Sequence, residues 1–574
     1  VAAPAASRWS ALTALPLVPV SVANLPDGKV LLWSAEEKFS FGAATGRTYF
    51  ATYDPATGTV TERTVTETGH NMFCPGTTNL ADGRLLVNGG ISSANTSIFN
   101  PATGAWTPGP AMNIARGYQA NTLLRDGSVL TLGGSWSGGV GNKHGEVWTA
   151  AGGWQRKTGI PIDPMLSVDA SRNFGMDSHF MLLPAGNGKV FHAGPGVNMH
   201  WLNTDGSGSV TPAGPRGDDE FSISGNAVMY DTGKILKTGG GPGYDSVNAN
   251  ANSYVIDIND GVTVRKLAPM AYRRAFHNSV VLPNGQVVLI GGQTFAVGFS
   301  DNNSVLVPEI FDPATETFST LPPIAAPRNY HSVAVLLPDG RVLSAGGGLC
   351  GAGCAANHAD LQVLTPHYLL KPDGTPAVRP VIASAPATVR YGQSMTVTTD
   401  SAIASFAIVR LSSTTHTVNN DQRRLSLNFR STGTNTYAVD IPSNPGWALP
   451  GDWMLFAMNA DGTPSVSKIL RIALDGTVQF AAIDDQSGTT GSAVALQPVV
   501  AVPSGATASF AVTGLPAGLA IDAATGRITG TPTAAGLSRV SVRASVNGVT
   551  TSTDFRWSVQ APGQTRFVKL ESLS

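Results

Sequence analysis

The apolar residues of this chain fall in short runs, each opened by a glycine turn and closed by further glycines. Leu80-Ala-Asp-Gly-Arg-Leu-Leu-Val-Asn-Gly-Gly90, Arg125-Asp-Gly-Ser-Val-Leu-Thr-Leu-Gly-Gly134 and Pro338-Asp-Gly-Arg-Val-Leu-Ser-Ala-Gly-Gly347 show the unit most plainly. It recurs seven times, with turn glycines at Gly28, Gly83, Gly127, Gly188, Gly233, Gly285 and Gly340, spaced 44 to 61 residues apart. Asp-Gly and Asn-Gly supply the positive φ of a tight hairpin, and the apolar run behind them reads as a strand. A second hairpin signal follows inside the unit: Tyr53-Asp-Pro-Ala-Thr-Gly-Thr-Val60, Phe99-Asn-Pro-Ala-Thr-Gly-Ala-Trp106 and Phe311-Asp-Pro-Ala-Thr-Glu-Thr-Phe318.

A period of about 50 residues with two hairpins per unit predicts an all-β fold, a seven-bladed kelch-like β-propeller over residues 1–371. A single large β-sandwich would not produce that period. Beyond Lys371 the glycine repeat stops. Residues 376–474 alternate short apolar strands and turns at the size of an immunoglobulin-like domain. Residues 475–560 predict a second immunoglobulin-like β-sandwich, a spacer, and residues 561–574 a tail that opens a further, truncated carbohydrate-binding domain.

Composition agrees with an all-β chain: 13% of residues are charged, and 65 Gly and 38 Pro punctuate the sequence. Lys+Arg 37 against Asp+Glu 38 gives a net charge of −1 without a basic run, which argues against a nucleic-acid partner. No apolar stretch approaches the ~20 residues of a membrane span. Val1 to Ala6 reads as the front of a trimmed chain. Of three cysteines, Cys350 and Cys354 are near enough to pair in a tight loop, as in an exported protein, which leaves Cys74 odd.

Equivalent positions in successive blades lie at equivalent radius, so residues a fixed distance before each turn glycine form a ring. Nine residues upstream stand Pro19, Cys74, Tyr118, His179, Ser224 and Phe276; in the seventh unit, ten upstream with one extra residue gives Tyr330. Cys74 and Tyr118 are then neighbours on adjacent blades, with Tyr330, His331 and His179 on the same rim. Imidazole nitrogens and phenol oxygens suit Cu(II), whereas structural zinc draws on several thiolates. The pattern therefore points to a copper site at the axis.

These stretches resemble the galactose oxidase family of copper radical oxidases, over about Arg8 to Leu474. The matching segments are Asn71-Met-Phe-Cys-Pro-Gly76, Ala115-Arg-Gly-Tyr-Gln119, Gly133-Gly-Ser-Trp-Ser-Gly-Gly139, Tyr330-His331, Gly346-Gly-Gly-Leu-Cys350, Thr415-His-Thr-Val418 and Asp421-Gln-Arg-Arg424. The resemblance implies one copper ion held by Tyr118, His331 and His416, with Tyr330 axial. It implies a thioether between Cys74 and Tyr118 that stores a radical under Trp136, and a Cys350–Cys354 disulfide. It implies oxidation of a small primary alcohol or carbohydrate to the aldehyde, with O2 reduced to H2O2, by a secreted or cell-surface monomer. Residues 475–560 resemble immunoglobulin-like repeats of bacterial exported proteins, which suggests a bacterial-type member.

The substrate pocket departs from the family pattern. Galactose-specific members carry an arginine where this chain has Gly175, and a glutamine where it has Asp245 after Tyr244. Phe41, Trp136 and Phe299 keep the aromatic wall. Galactose selectivity is therefore expected to be altered, Arg172 to be a partial substitute, and an arginine introduced at Gly175 to raise galactose turnover. The competing reading is a non-catalytic kelch-type propeller that recognises carbohydrate or protein through surface loops. The full set Cys74, Tyr118, Tyr330, His331 and His416 argues against that reading.

Overall fold

The computed structural model describes residues 6–42, 45–169 and 171–563. The expected opening strand of a further domain at Thr565–Ser574 lies outside the described residues, as does the start of the chain. Among the described residues there is no α-helix, only three single-turn 3-10 helices, at Asp163–Met165, Gly175–Asp177 and His367–Leu369. No helix is long and apolar enough to cross a membrane.

The glycine repeat builds seven antiparallel sheets of one plan. The first strands of successive sheets are Ser21–Asn24, Gly76–Asn79, Ala120–Leu123, Met181–Pro184, Asn226–Asp231, Asn278–Val281 and Val333–Leu336. Each pairs with the strand that follows its glycine turn, as in Ala120↔Leu132 and Leu123↔Val129. First strands touch those of the neighbouring sheets in sequence order. Val333–Leu336 returns to contact Ser21–Asn24, and Ser413–Thr415 stands between Ser21–Asn24 and Gly76–Asn79. The last sheet is completed from the other end of the chain: Arg8–Trp9 pairs with Asp360–Thr365, as Arg8↔Thr365 and Trp9↔Leu364.

The glycines that end the second strands have a steric cause. Gly291 has φ +72°, and a Cβ there would lie 2.1 Å from the carbonyl oxygen of Arg328 in the next sheet. Its neighbour Gly292 donates its N–H to that same carbonyl at 2.8 Å. Backbone of one sheet thus rests directly on backbone of the next, which only glycine permits.

Residues 379–473 form two sheets facing a core of Tyr391, Phe406, Leu455 and Trp453. Their loop after Arg410 leaves this sandwich and enters the seven-sheet body. Ser413–Thr415 adds to Ser21–Asn24, as Ser21↔Thr415, extending the first sheet to five strands. The residues that follow bind the first strands of several sheets. Leu182 N–H donates to Asn420 Oδ1 at 3.0 Å, Leu123 N–H to Asp421 Oδ1 at 2.9 Å and Val281 N–H to Gln422 Oε1 at 2.7 Å. One segment thereby serves three sheets, so the side chains of Asn420 to Gln422 are part of the packing.

Residues 486–560 form further sheets around Phe510, Phe555 and Trp557. They rest on the rest of the chain: Asp554 N–H donates to Gly186 O at 3.0 Å, and Ser552 N–H to Ser443 O at 2.8 Å.

Candidate metal centre

The residue two positions before each first strand is left-handed: Cys74 (φ 60°), Tyr118 (68°), His179 (55°), Ser224 (60°), Phe276 (63°) and His331 (70°). A positive φ is costly for such side chains and is held here by tertiary bonds. Tyr118 N–H donates to Cys74 O at 3.1 Å, and His179 N–H to Tyr118 O at 3.0 Å. The first sheet has Pro19 at this position, which cannot take that conformation. There His416 (φ 48°), directly after the added strand, joins the cluster instead.

The seventh unit differs from the expectation. His331, nine residues before Gly340, takes the left-handed position, and Tyr330 precedes it. In three units an arginine upstream of this residue is fixed: Arg116, Arg274 and Arg328 donate to Gly133 O, Gly291 O and Gly346 O at 3.0, 2.7 and 3.0 Å. The extra residue therefore falls between Arg328 and Val333. Both Tyr330 and His331 reach the cluster, with ring centroids 3.8 Å apart.

Cys74, His331 and His416 have ligand atoms within 4.8 Å of one another, all buried. The hydroxyls of Tyr118 and Tyr330 are in direct hydrogen-bond contact. His331 Nδ1 donates to Gly348 O at 2.6 Å, which leaves the Nε2 lone pair free, and that buried nitrogen has no partner. His416 Nδ1 lies 2.9 Å from Thr415 Oγ1, and its Nε2 is 3.3 Å from Cys74 Sγ. Trp136 stacks on Tyr118 at 4.9 Å with the planes 10° apart. A hydrogen-bonded tail joins the cluster: Tyr244 Oη donates to Tyr330 Oη at 3.3 Å and lies 3.2 Å from His179 Nε2.

Burial keeps these groups neutral. It pushes His331 down to about 3 against the opposing pull of Gly348 O, and His179 down to about 3 with help from His331. It drives His416 well below its ordinary value, and raises the Cys74 thiol and the Tyr118 and Tyr330 phenols. A buried cluster with two neutral imidazoles, two phenols and one orphaned imidazole nitrogen fits a bound cation. Two nitrogens and two oxygens are the donor set that Cu(II) favours.

Phe41, Trp136, Tyr244 and Phe299 all border this cluster. Phe174 does too, edge-on to Tyr118 at 5.7 Å, and sequence reasoning passed over it. Asp177 was also missed: its carboxylate accepts Ser135 N–H at 2.9 Å and Ser135 Oγ–H at 2.6 Å, holding the turn that presents Trp136. Their sequence signal was adjacency to Gly175, in the run Phe174-Gly-Met-Asp177. Cys350 and Cys354 form a disulfide.

Gly175 reverses one expectation. It is buried in the 3-10 turn Gly175–Asp177, and a Cβ there would lie 2.0 Å from Asp169 Oδ2. Asp169 cannot readily move, because Oδ2 accepts Tyr244 N–H at 2.9 Å and Oδ1 accepts Ser171 N–H at 2.8 Å. Gly175→Arg is therefore expected to lower the melting temperature by several degrees, corresponding to about 1–3 kcal/mol of overpacking, without raising galactose turnover. A thermal melt with parallel rates on galactose and benzyl alcohol checks both. Arg172, expected as a partial substitute for the missing arginine, donates Nη2–H to Asp245 Oδ2 at 3.0 Å.

Family models match three segments: the galactose oxidase-like early set domain at residues 379–472, the glyoxal oxidase N-terminus at 242–350 and an Ig domain at 476–560. Galactose oxidase of Gibberella zeae is 42% identical over 483 residues, covering 82% of this chain and 71% of that protein. The chain belongs to the galactose oxidase family. Aldehyde oxidase GLOX of Vitis pseudoreticulata, a more distant relative, is 27% identical over 395 residues, 63% of this chain and 72% of that one. A solved structure, a fungal alcohol oxidase of the AA5 family in complex with copper, superposes with TM-score 0.79 at 42% identity, covering 82% of this chain and all of that one. These relatives are fungal and plant proteins and do not support the expected bacterial-type affiliation. Within the galactose oxidase family, the stretch beyond the early set domain is matched here by the Ig domain model.

Proposed function

We propose that the protein is a copper radical oxidase that converts a primary alcohol to the aldehyde and O2 to H2O2. One observation carries the reading: His331 Nε2, buried and without a partner, faces a cluster of His416, Tyr118, Tyr330 and Cys74 drawn from segments 342 residues apart. The ligands would be Tyr118, His331, His416 and Tyr330. Copper, when bound, supplies a one-electron acceptor and the Lewis acidity that favours ionised phenols. Tyr330 Oη receives the hydroxyl proton of the alcohol. Tyr118 Oη would accept the hydrogen atom of the carbinol carbon, the one remaining electron passing to the acceptor that copper would supply, and Cys74, a buried free cysteine, would stabilise the oxidised phenol through a thioether. Trp136 covers the Tyr118 ring and keeps water from it. Gly348 O fixes the His331 tautomer, as a neighbouring carbonyl does for metal-binding histidines.

The seven sheets are read as the blades of a closed seven-bladed propeller over residues 1–371. The return contact of the last first strand and the Arg8–Trp9 strand in the seventh sheet support this. Residues 376–474 are read as the immunoglobulin-like domain that donates His416, and 475–560 as an immunoglobulin-like domain stacked on it. The Cys350–Cys354 disulfide favours a secreted or cell-surface location, and a ligand set drawn from one chain favours a monomer. Galactose selectivity is altered, because the Gly175 corner is filled by Asp169.

A peroxide-release screen over galactose, raffinose, glycerol, benzyl alcohol, butanol and methylglyoxal tests the reading. Copper-loaded protein is expected to release H2O2 with at least one primary alcohol, and chelation before the assay to abolish it. Silence across all six, with copper bound in stoichiometric amount, would return the protein to the class of recognition propellers.

A further inference from the structure

One residue of the glycine turns breaks their pattern. Two positions before the turn glycine the units carry Pro26, Ala81, Arg125, Gly186, Asp231, Pro283 and Pro338, and Arg125 is the single cation among them. Its side chain is only 11% exposed. Among the described residues its guanidinium makes no hydrogen bond; the nearest carboxylate, that of Asp205, stands 4.0 Å from Nη2. A set of N–H donors is thus drawn largely out of water without acceptors, whereas buried polar groups are ordinarily satisfied. The guanidinium lies against Gly188, the turn glycine of the fourth sheet, where a Cβ would come within 2.0 Å of Nη1 and 2.4 Å of Cζ. Backbone therefore fixes its position.

A cavity of about 260 Å3 opens beside it. Arg125, Lys189 and Asp205 of the seven-sheet body line one side, and Phe480, Val499 and Val500 the other. The apolar side is a small paired element, Phe480↔Val500, and Val499 is 69% exposed, so this wall is uncovered. The other charged groups are engaged. Lys189 Nζ donates to Asp484 Oδ1. The two carboxylates on the cavity accept backbone donors: Asp205 takes Ala482 N–H at 2.7 Å and Asp126 takes Ser128 N–H at 3.0 Å. The charged group left without a hydrogen bond is Arg125.

We infer that this cavity is a binding site for a small monocarboxylate with an apolar body, its carboxylate forked onto Arg125 and its body laid over Phe480, Val499 and Val500. A carboxylate matches the guanidinium in a bidentate fashion and supplies the acceptors it lacks. The volume lies below the roughly 300–1,000 Å3 of pockets that take drug-sized ligands, so the occupant is a short-chain or single-ring acid. None of the lining residues belongs to the metal cluster, and the site stands whether or not the oxidase reading holds. Its walls come from the seven-sheet body and from residues 479–501, so a bound acid joins the two and stabilises the folded chain.

Titration calorimetry on the copper-loaded full chain tests the site with benzoate and hexanoate. Benzamide serves as the uncharged body and sulfate as the anion without one. Both acids are expected to bind saturably, with benzamide and sulfate at least about tenfold weaker. Arg125→Ala is expected to weaken both acids at least about tenfold. Because its guanidinium makes no hydrogen bond, that variant is expected to melt within a few degrees of wild type. Val499→Asp keeps Arg125, sets a carboxylate on the exposed wall and is expected to cause a similar loss; it decides alone if Arg125→Ala fails to fold. Benzoate is expected to raise the melting temperature of wild type and of neither variant. Unchanged affinity in both variants, or sulfate binding as tightly as the acids, overturns the site. Loss of binding in Lys189→Ala with retention in Arg125→Ala overturns the role given to Arg125. Acid binding that survives Arg125→Ala but disappears on copper removal belongs to the metal centre and overturns it too.

Discussion

Copper-loaded protein exposed to air is expected to lose two hydrogens beyond the two already removed by the Cys350–Cys354 disulfide, and Cys74→Ser is expected to keep them. The thioether replaces the Cys74 S–H and one ring C–H of Tyr118 by a single S–C bond. The two protons and two electrons released reduce O2 to H2O2, so the balance closes with the oxidant the enzyme already uses. Cys74 is placed for this: it is buried, free of any disulfide, and its carbonyl holds the N–H of Tyr118 at 3.1 Å. Burial raises its thiol, so the sulfur stands protonated until a cation arrives. Intact mass and a tryptic map of the 74–118 link check the result. Alcohol oxidation in Cys74→Ser is expected to fall on the order of 10²–10³-fold, the scale of losing a preorganised stabilising group in an active site. An unlinked Cys74 in fully active protein would instead make the sulfur a third metal ligand beside His331 and His416, a different copper chemistry.

The seven sheets are legible in the sequence because their cause is local. A glycine turn fixes each hairpin, and the closing glycines record where the next sheet's backbone rests, as Gly291 does against Arg328. Cys74, Tyr118, His179 and the pair Tyr330-His331 are legible for the same reason, since position relative to the turn glycine fixes depth in the fold, whereas His416 lies beyond the repeat and is reached through the family resemblance alone. The one shift in that reading, at Tyr330 and His331, comes from an inserted residue whose place is decided by the Arg328 anchor to Gly346 O, a contact between residues 18 apart. Other features leave no periodic trace. The two-residue strand Arg8–Trp9 is too short to show alternation, yet it completes the sheet that ends at Thr365. The filling of the Gly175 corner by Asp169 is a packing fact, and the Arg172–Asp245 pair joins residues 73 apart on irregular loops. Turn chemistry writes the scaffold into the sequence, while the loop side chains at Asp169 and Arg172 meet partners that no local pattern names.

His416→Ala is expected to weaken copper retention by at least about 100-fold while the protein melts within a few degrees of wild type. The two effects separate because the histidine and its loop are held by different bonds. Among the described residues the His416 side chain bonds to Cys74 and Thr415 and its ring lies against His179, Tyr118 and His331, all side-chain contacts, so removing the ring frees no buried backbone group. The loop is held on either side of it, by the pairing of Thr415 with Ser21 and by Asn420, Asp421 and Gln422 on the first strands of three sheets. Asp421→Ala gives the contrast. That carboxylate accepts Leu123 N–H at 2.9 Å and Thr122 Oγ–H at 3.0 Å, both buried, and leaving them unpaired costs about 2–5 kcal/mol. Asp421→Ala is therefore expected to lose thermal stability first and copper with it. Metal content after dialysis against a weak chelator, read beside circular dichroism melts of both variants, distinguishes them. A His416→Ala protein that keeps its copper would remove this histidine from the ligand set. One that loses its β-sheet signal would mean that the imidazole, rather than the segment from Asn420 to Gln422, anchors the loop.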